Sequence, residues 1–460
     1  MGFRTINPAT GELLKEFPFQ TDEEIRMALH VAHERYHRDW KHRPVTQRAQ
    51  LVARAGEILR TKRDEYARLL TLEMGKVIGQ AYYEVDLAAD ILAYYGKHAG
   101  TFLQPRAVPD APGAVIITEP IGALLAIEPW NFPYYQIARV AAPQIAAGNV
   151  LLMKQAQEVP QSALAFARLF VEAGTPEGVY TNLFCTVEQA GRLIDDFRIR
   201  GVTLTGSERA GAAVAERAGR NLKKVVLELG GSDPAIVLED APIEQAVRQC
   251  VLGRMINSGQ ACASIKRMIV VGRERGAQIL QILVEQYAAL PVGEPSDPAS
   301  AIGPLVSERA VDGLIAQIHA AQAAGARIVC GGRRMNRPGF YVEPTIITDI
   351  AGDNPFFHQE AFGPVLSFHV VDTEDEAIHI ANATKFGLGS SVFSADIERA
   401  KRVADRIEAG MVFINSFVNA GPEVPFGGVK NSGFGRELSE LGIAEFVNRK
   451  LVRVAQIEPS

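Results

Sequence analysis

Three short stretches of this chain carry side chains able to do covalent and acid–base chemistry. NSGQACAS, residues 257–264, sets Cys262 among glycine, serine, glutamine and alanine. A cysteine in such a run is a small core residue, a metal ligand or a nucleophile, and the octapeptide leaves all three open. VVLELGG, residues 225–231, ends an apolar run with Glu228 between Leu227 and Leu229, followed by Gly230 and Gly231. An unpaired charge there is expensive to bury. Either Glu228 is satisfied by a salt bridge or a backbone hydrogen bond at a strand end, or burial raises its pKa and makes it a usable general base. EPWNFP, residues 128–133, places Asn131 between Trp130 and Phe132 and just before Pro133. Its amide can cap a helix that starts at Pro133, or aim an N–H at a developing oxyanion.

Two further places bind rather than react. GVTLTG reads as a strand and runs into SERAGAAVAERAG, which reads as a helix, so Thr205, Gly206 and Ser207 stand at a strand-to-helix turn. A helix N-terminus offers free N–H groups and a favourable dipole to an anion such as a pyrophosphate. The same turn also reads as an ordinary capped helix. No G-x-G-x-x-G is present and no Lys-Ser/Thr pair follows Gly211, so the turn is not a P-loop. Arg139 is the lone charge in YYQIARVAAPQIAAGN. A buried guanidinium needs an anion. That anion is either an acid of the protein or a substrate carboxylate gripped by the guanidinium fork.

The elements that must hold these groups follow from the pattern of apolar residues. Residues 21–95 read as helices, with Thr21 placed to cap a first turn rich in Asp and Glu. From 121 onward GALLAIEP, VLLMK, VYTNLF, GVTLTG and KKVVLEL read as strands alternating with helices such as PQSALAFARLFVEAG, where Phe166, Leu169 and Phe170 share a face. A second alternating region begins at PAIVL and continues through a helix over 241–256, which places Cys250 in a core. Such alternation implies parallel sheets covered by helices on both faces. The 460 residues exceed one ordinary core and suggest two or three domains. PRAVPDAPGAVIITEPIG (105–122) and the tail KLVRVAQI fit neither layer. The tail is an apolar strand with nothing after it to pair with, and exposed apolar edges are normally covered, here by another subunit.

Composition excludes several classes. A net charge of −5 with no dense Lys/Arg run speaks against a nucleic-acid surface. No uncharged apolar run is long enough for a membrane span, and the first residues, MGFRTINPATGELL, hold no apolar signal core. Ile6 stands where a myristoylation signal needs Ser or Thr. The four cysteines, Cys185, Cys250, Cys262 and Cys330, have no paired spacing, and the nine histidines show no metal-binding spacing. The expectation is a protein of the reducing cytoplasm with no metal.

Taken together, PWNFP, Lys154 in LLMKQAQEVP, TGS, LELGG, GQACAS, EAFGPV (360–365) and PFGGVKNSGFGRE (425–437) resemble, in order and spacing, the signatures of the aldehyde dehydrogenase superfamily. The resemblance runs from INPATGE to the tail. It implies an α/β fold with a Rossmann-like cofactor domain (1–101 and 121–230), an α/β catalytic domain (231–436) and a small β oligomerisation extension (102–120 and 437–460). It implies that Cys262 attacks the aldehyde, that the Asn131 amide and the Cys262 backbone N–H hold the oxyanion, and that Glu228 activates water for the thioester. For the cofactor it implies Gly206 and Ser207 at the pyrophosphate, Lys154 and Gln157 at the adenosine ribose, Glu360 at the nicotinamide ribose, and Trp130 and Phe362 near the nicotinamide end. Glu437 resembles the family's second carboxyl, a helper in proton removal. The extra strands match segments that pair between subunits, so a homodimer or homotetramer is expected.

Two departures sharpen the expectation. NAD-preferring members often carry Glu where this chain has Gln157. A carboxylate repels the 2′-phosphate of NADP, whereas a neutral amide can donate to it. Glu158 follows directly, so NADP is expected with NAD also used. Arg139 occupies a substrate-tunnel position that is often aromatic or apolar. A guanidinium there resembles the succinate-semialdehyde branch, whose product is succinate. A broad-specificity aliphatic aldehyde dehydrogenase is the alternative. A coenzyme A-acylating member usually lacks the glutamate base, and Glu228 argues against it.

Overall fold

The alternation expected from residue 121 onward forms two sheets in the computed structural model, which describes residues 2–455. The first has six strands in the order Gly433–Phe434, Lys224–Glu228, Ile199–Thr205, Ala123–Glu128, Val150–Gln155 and Tyr180–Asn182. Its pairs are parallel except where Gly433–Phe434 runs against Lys224–Glu228. The second has seven strands, with Asp233–Val237 and Ile265–Val271 near its centre. It is parallel apart from the outer pair Arg327–Cys330 and Thr345–Thr348. Among the described residues no helix is long and apolar enough to cross a membrane.

Local sequence explains the helices that matter for the site. Thr21 closes a capping box: its hydroxyl accepts from the Glu24 N–H at 3.2 Å while the Glu24 carboxylate accepts from the Thr21 N–H at 2.6 Å. The helix Pro133–Ala147 begins with proline at its first turn, where a missing N–H does no harm. It is buried along its whole length, so its one charge, Arg139, is buried too. The helix Ile243–Met255 carries Cys250 fully buried in the core beneath the second sheet, as the spacing implied.

The two segments outside these layers pair with each other. Val447–Arg453 lies antiparallel to Ala114–Pro120 from Val447 opposite Pro120 to Arg453 opposite Ala114. The tail strand, with nothing after it to pair with, is thus paired on one side by an earlier strand of its own chain. Among the described residues no strand pairs with its other edge, and Leu451 is 61% exposed. Of the expected 437–460 extension, residues 456–460 lie outside those described. The strand Gly433–Phe434, expected in the catalytic domain, belongs to the first sheet.

Candidate active site

A cavity opens at the carboxyl ends of adjacent parallel strands of the first sheet. Pro129 and Trp130 follow one strand, Gly206 and Ser207 the next, and Leu229 and Gly230 a third. That end of an α/β sheet is where ligands are usually bound. The opposite wall comes from the second unit through Cys262, Glu360 and Phe362. Asn131 completes the lining next to Trp130, whose ring meets that of Phe362 edge-on at 5.7 Å. Seven of the positions singled out from sequence thus share one cavity: Trp130, Asn131, Gly206, Ser207, Cys262, Glu360 and Phe362.

Two glycines allow the two units to approach. A Cβ on Gly230 would lie 2.5 Å from the Glu360 carboxylate, and a Cβ on Gly231 would lie 2.5 Å from the Cys262 carbonyl. Any larger residue in LELGG would push these walls apart. The Gly231 N–H instead donates to Glu360 Oε1 at 3.1 Å.

Asn131 does not cap the helix after it. The helix N–H groups of Tyr134 and Tyr135 are accepted by Glu84 Oε1 at 2.8 and 3.3 Å. Glu84 is paired with Lys76, and both are completely buried. Lys76 Nζ also donates to the Asn131 carbonyl at 2.9 Å, and Asn257 Nδ2 donates to the same oxygen at 2.8 Å. The Asn131 side chain is thereby left to face Cys262's loop, where its Nδ2 donates to the Gln260 carbonyl at 3.1 Å.

Glu228 sits at the end of its strand, 1% exposed, with neither oxygen hydrogen-bonded. Burial raises its pKa to about 8, against the pull of Arg139 and Arg436 and with Glu437 adding to the rise. A Cβ on Gly427, in PFGGVK, would come within 2.7 Å of Glu228 Oε1. Strand register sets Thr205 beside Glu228. Glu128, not singled out from sequence, ends the strand on the other side of Ile199–Thr205 with both oxygens unpartnered, and burial raises its pKa well above the usual carboxylate range.

The anion partner of Arg139 in this structure is an acid of the protein. Its Nε pairs with Glu437, its Nη2 donates to Thr205 Oγ1 at 2.9 Å, and its plane lies 4.9 Å from the ring centres of Tyr135 and Phe426. Arg139 and Glu437 are both buried. Arg139 lies behind the cavity wall rather than in it. Glu437 is raised in pKa by burial despite Arg139, and its field reaches Glu228. Three buried carboxyls therefore gather around one guanidinium.

Cys262 stands in the turn before the strand Ile265–Val271. Burial pushes its thiol up to about 12, with Lys266 and Arg139 opposing the rise. Asn257, Ser258 and Gly259 lead into this turn in the left-handed region, with φ of +52°, +55° and +78°. Serine is strained there at a cost of about 1–3 kcal/mol. What holds the turn is Arg254, fully buried, which donates to the Gly259 carbonyl at 3.0 Å, to Ser264 Oγ at 3.0 Å and to the Ala361 carbonyl at 3.1 Å. It ties the cysteine turn to the segment bearing Glu360 and Phe362.

The cofactor positions away from the cavity are placed less tightly. Ser207 caps the helix Glu208–Arg220, its hydroxyl accepting from the Ala210 N–H at 3.3 Å. Lys154 is the last residue but one of its strand, with its pKa lowered by burial and its Nζ 5.9 Å from the Phe3 ring centre. Gln157 is exposed, and its carbonyl accepts from the Arg4 N–H at 3.0 Å. Glu158 is more buried, and burial raises its pKa although Lys154 and Arg309 oppose the rise. Sequence reasoning passed over Glu84, Arg254 and Lys266. The one available signal was Lys266 and Arg267, adjacent charges at the head of the otherwise apolar run IKRMIVV.

Known proteins align with this arrangement over nearly the whole chain. The model of the aldehyde dehydrogenase family matches residues 1–452. A succinate-semialdehyde dehydrogenase (NADP+) of Deinococcus radiodurans is 48% identical over 98% of this chain and 94% of its own length. A probable succinate-semialdehyde dehydrogenase (NADP+) of Synechocystis sp. is 45% identical over 99% of this chain and all of its own. The crystal structure of succinic semialdehyde dehydrogenase from Streptococcus pyogenes, in complex with NADP+, superimposes with a TM-score of 0.96 at 43% identity, covering 99% of this chain and 100% of that one.

Proposed function

The chain belongs to the aldehyde dehydrogenase family, and from that premise we propose that it oxidises succinic semialdehyde to succinate with NADP. The observation that supports this most is the meeting of Cys262 and Asn131 in one cavity, with Glu228 and Arg139 buried behind its lining.

In this reading the Cys262 sulfur adds to the aldehyde carbonyl. The thiol proton has to leave, since burial holds it on at neutral pH, and Glu228, with a pKa near 8, is the nearby group suited to take it. The oxyanion is met by the Asn131 amide and the Cys262 N–H. NADP, when bound, supplies the acceptor for the hydride whose loss turns a thiohemiacetal on Cys262 into a thioester. Glu228 first loses the thiol proton outward, with Glu437 taking part in passing it, then draws a proton from water as it attacks the thioester and returns that proton to the departing Cys262 sulfur. Cys262 is released as the thiol and succinate leaves.

The residues present fit the cofactor. The exposed Ser207 hydroxyl and the N-terminus of Glu208–Arg220 face the cavity where a pyrophosphate belongs. Glu360, cradled by Gly230 and Gly231, is set for the nicotinamide ribose, with Trp130 and Phe362 beside it. Lys154 and the neutral Gln157 serve the adenosine ribose and its 2′-phosphate. We assign cofactor binding to the unit of the first sheet and the nucleophile to that of the second.

Arg139 is the candidate for the substrate carboxylate. Burial raises the pKa of both Glu437 and Glu128. An acid end of the substrate would share the guanidinium with Glu437, whose pairing with Arg139 Nε leaves the other nitrogens on Thr205 Oγ1 and the Tyr135 hydroxyl. The open edge of Val447–Arg453 is where a second subunit pairs in a homodimer or homotetramer, and four free cysteines accord with a cytoplasmic site.

Cofactor reduction with succinic semialdehyde and with butyraldehyde, using NADP and NAD, tests the reading. Succinic semialdehyde with NADP should give the highest kcat/KM, and addition of coenzyme A should change nothing. Cys262→Ala should abolish the reaction while NADP still binds. Equal rates with both aldehydes, or turnover without Cys262, would overturn it.

A further inference from the structure

Lys266 is 2% exposed at the start of an apolar strand, yet it touches neither substrate position nor a solitary counter-ion. Its Nζ donates to the Ala261 carbonyl at 2.9 Å and to the Cys262 carbonyl at 2.5 Å, and lies 3.0 Å from Glu360 Oε1. These three acceptors belong to the two peptides flanking the nucleophile and to the carboxylate assigned to the nicotinamide ribose.

The peptide geometry gives the contact its meaning. In a trans peptide the C=O and the next N–H point in opposite directions within one plane. A donor that holds the Ala261 oxygen therefore fixes where the Cys262 N–H points. Ala261 O is gripped from several sides: by Lys266 Nζ, by Ser264 Oγ at 2.9 Å and by the Ser264 N–H at 3.3 Å. Ser264 Oγ in turn accepts from Arg254 at 3.0 Å. Donors on a carbonyl polarise the whole amide and make its N–H a better donor. By holding the Cys262 oxygen as well, Lys266 fixes the peptide on the other side, so Cys262 is clamped at both ends.

We propose that Lys266 is a positioning residue for aldehyde oxidation: it aims and polarises the Cys262 N–H toward the oxyanion and ties that peptide to Glu360 at the cofactor end. This rests on the assignment of Cys262 as nucleophile. The charge has a second effect on the thiol. Lys266 and Arg139 favour the thiolate, whereas Glu228 and Glu360 oppose it, with the Tyr135 phenol also in range.

The test compares Lys266→Met, Lys266→Arg and Ser264→Ala in the full-length enzyme. For Lys266→Met, kcat and kcat/KM for succinic semialdehyde should fall together by about 10- to 100-fold, the pattern of an interaction made in the transition state. Alkylation of Cys262 by iodoacetamide at fixed neutral pH should slow about tenfold, as the thiolate fraction falls by one pKa unit. Ser264→Ala keeps the charge and removes one grip on Ala261, so kcat should fall several-fold with alkylation unmoved. Lys266→Arg should hold the alkylation rate near that of the native enzyme while lowering kcat, and it carries the test if the methionine variant does not fold. A loss confined to the KM for NADP, with kcat and alkylation unchanged, would reduce Lys266 to a support for Glu360 and overturn the proposal. If Cys262→Ala retains turnover, the nucleophile assignment fails; if only the Lys266 and Ser264 variants match the native enzyme, this inference fails alone.

Discussion

Arg139, on the helix that begins at Pro133, meets Glu437, on the segment that returns from the far end of the sequence, in a site closed to water. Whether that guanidinium serves only Glu437 or also a substrate is decided by comparing two aldehydes of equal carbon number. Arg139→Ala should lower kcat/KM for succinic semialdehyde roughly ten- to a hundredfold, the range expected for loss of one charge-assisted hydrogen bond of about 1.5–3 kcal/mol, and much less for butyraldehyde. Arg139→Lys should restore part of the loss, because an ammonium makes no bidentate contact. Equal losses together with a lower Tm would show that Arg139 answers Glu437 alone.

The Glu228 carboxyl should leave its mark on both rate and stability. A base works as the carboxylate, so thioester hydrolysis should rise with pH through about 8. The stability effect runs the other way. The folded-state pKa is raised from 4.5 to about 8, so between these values the native state holds a proton that the unfolded chain has released. Stability then falls as pH rises, by about 1.4 kcal/mol per pH unit. Glu228→Gln removes this dependence, and its Tm advantage over the native enzyme should grow from pH 5 to pH 8. The same variant should give one burst of reduced cofactor and then stall as the thioester. A variant that shows no burst and binds no cofactor would make Glu228 structural.

Asn131→Ala tests the oxyanion amide without removing a helix cap, because Glu84 and not Asn131 caps the helix Pro133–Ala147. Acylation should slow about 10²–10³-fold, and Tm should fall modestly, since the buried Gln260 carbonyl and Gln136 amide each lose a partner. An unchanged acylation rate in single-turnover experiments would remove the amide from the chemistry.

How far the site could be read from sequence depended on whether a group's partner lies near it in the chain. Cys262, Asn131 and Glu228 stand in short motifs with small or rigid neighbours, and the glycines after Glu228 announce a close approach. The strands and helices from 121 onward followed from apolar alternation. The tail was harder, because Val447–Arg453 pairs with a strand more than three hundred positions earlier. Arg254 and Lys266 were invisible for a related reason: their partners are backbone carbonyls, which every residue has. Glu84 caps a helix from another helix, and capping patterns look only at the residues next to the turn.

Gln157→Glu concerns cofactor choice. The exposed amide lies just past Lys154 and its strand. A carboxylate there repels a 2′-phosphate and accepts from ribose hydroxyls, so the ratio of kcat/KM for NAD to that for NADP should rise. The measurement is that ratio in the native enzyme and the variant; an unmoved ratio would place the ribose elsewhere, with Glu158 the next position to change.

The antiparallel strand Gly433–Phe434 is supplied to the first sheet after almost all of the second unit has been made. During synthesis the ribosome therefore releases five strands of that sheet with one edge bare. Glu228 lies on that edge strand, and Arg139 has as yet no Glu437. A nascent chain in this condition exposes strand backbone to its neighbours and holds uncompensated charge in its interior, both of which favour aggregation. Completion of the catalytic chamber is thus postponed until translation has passed residue 437.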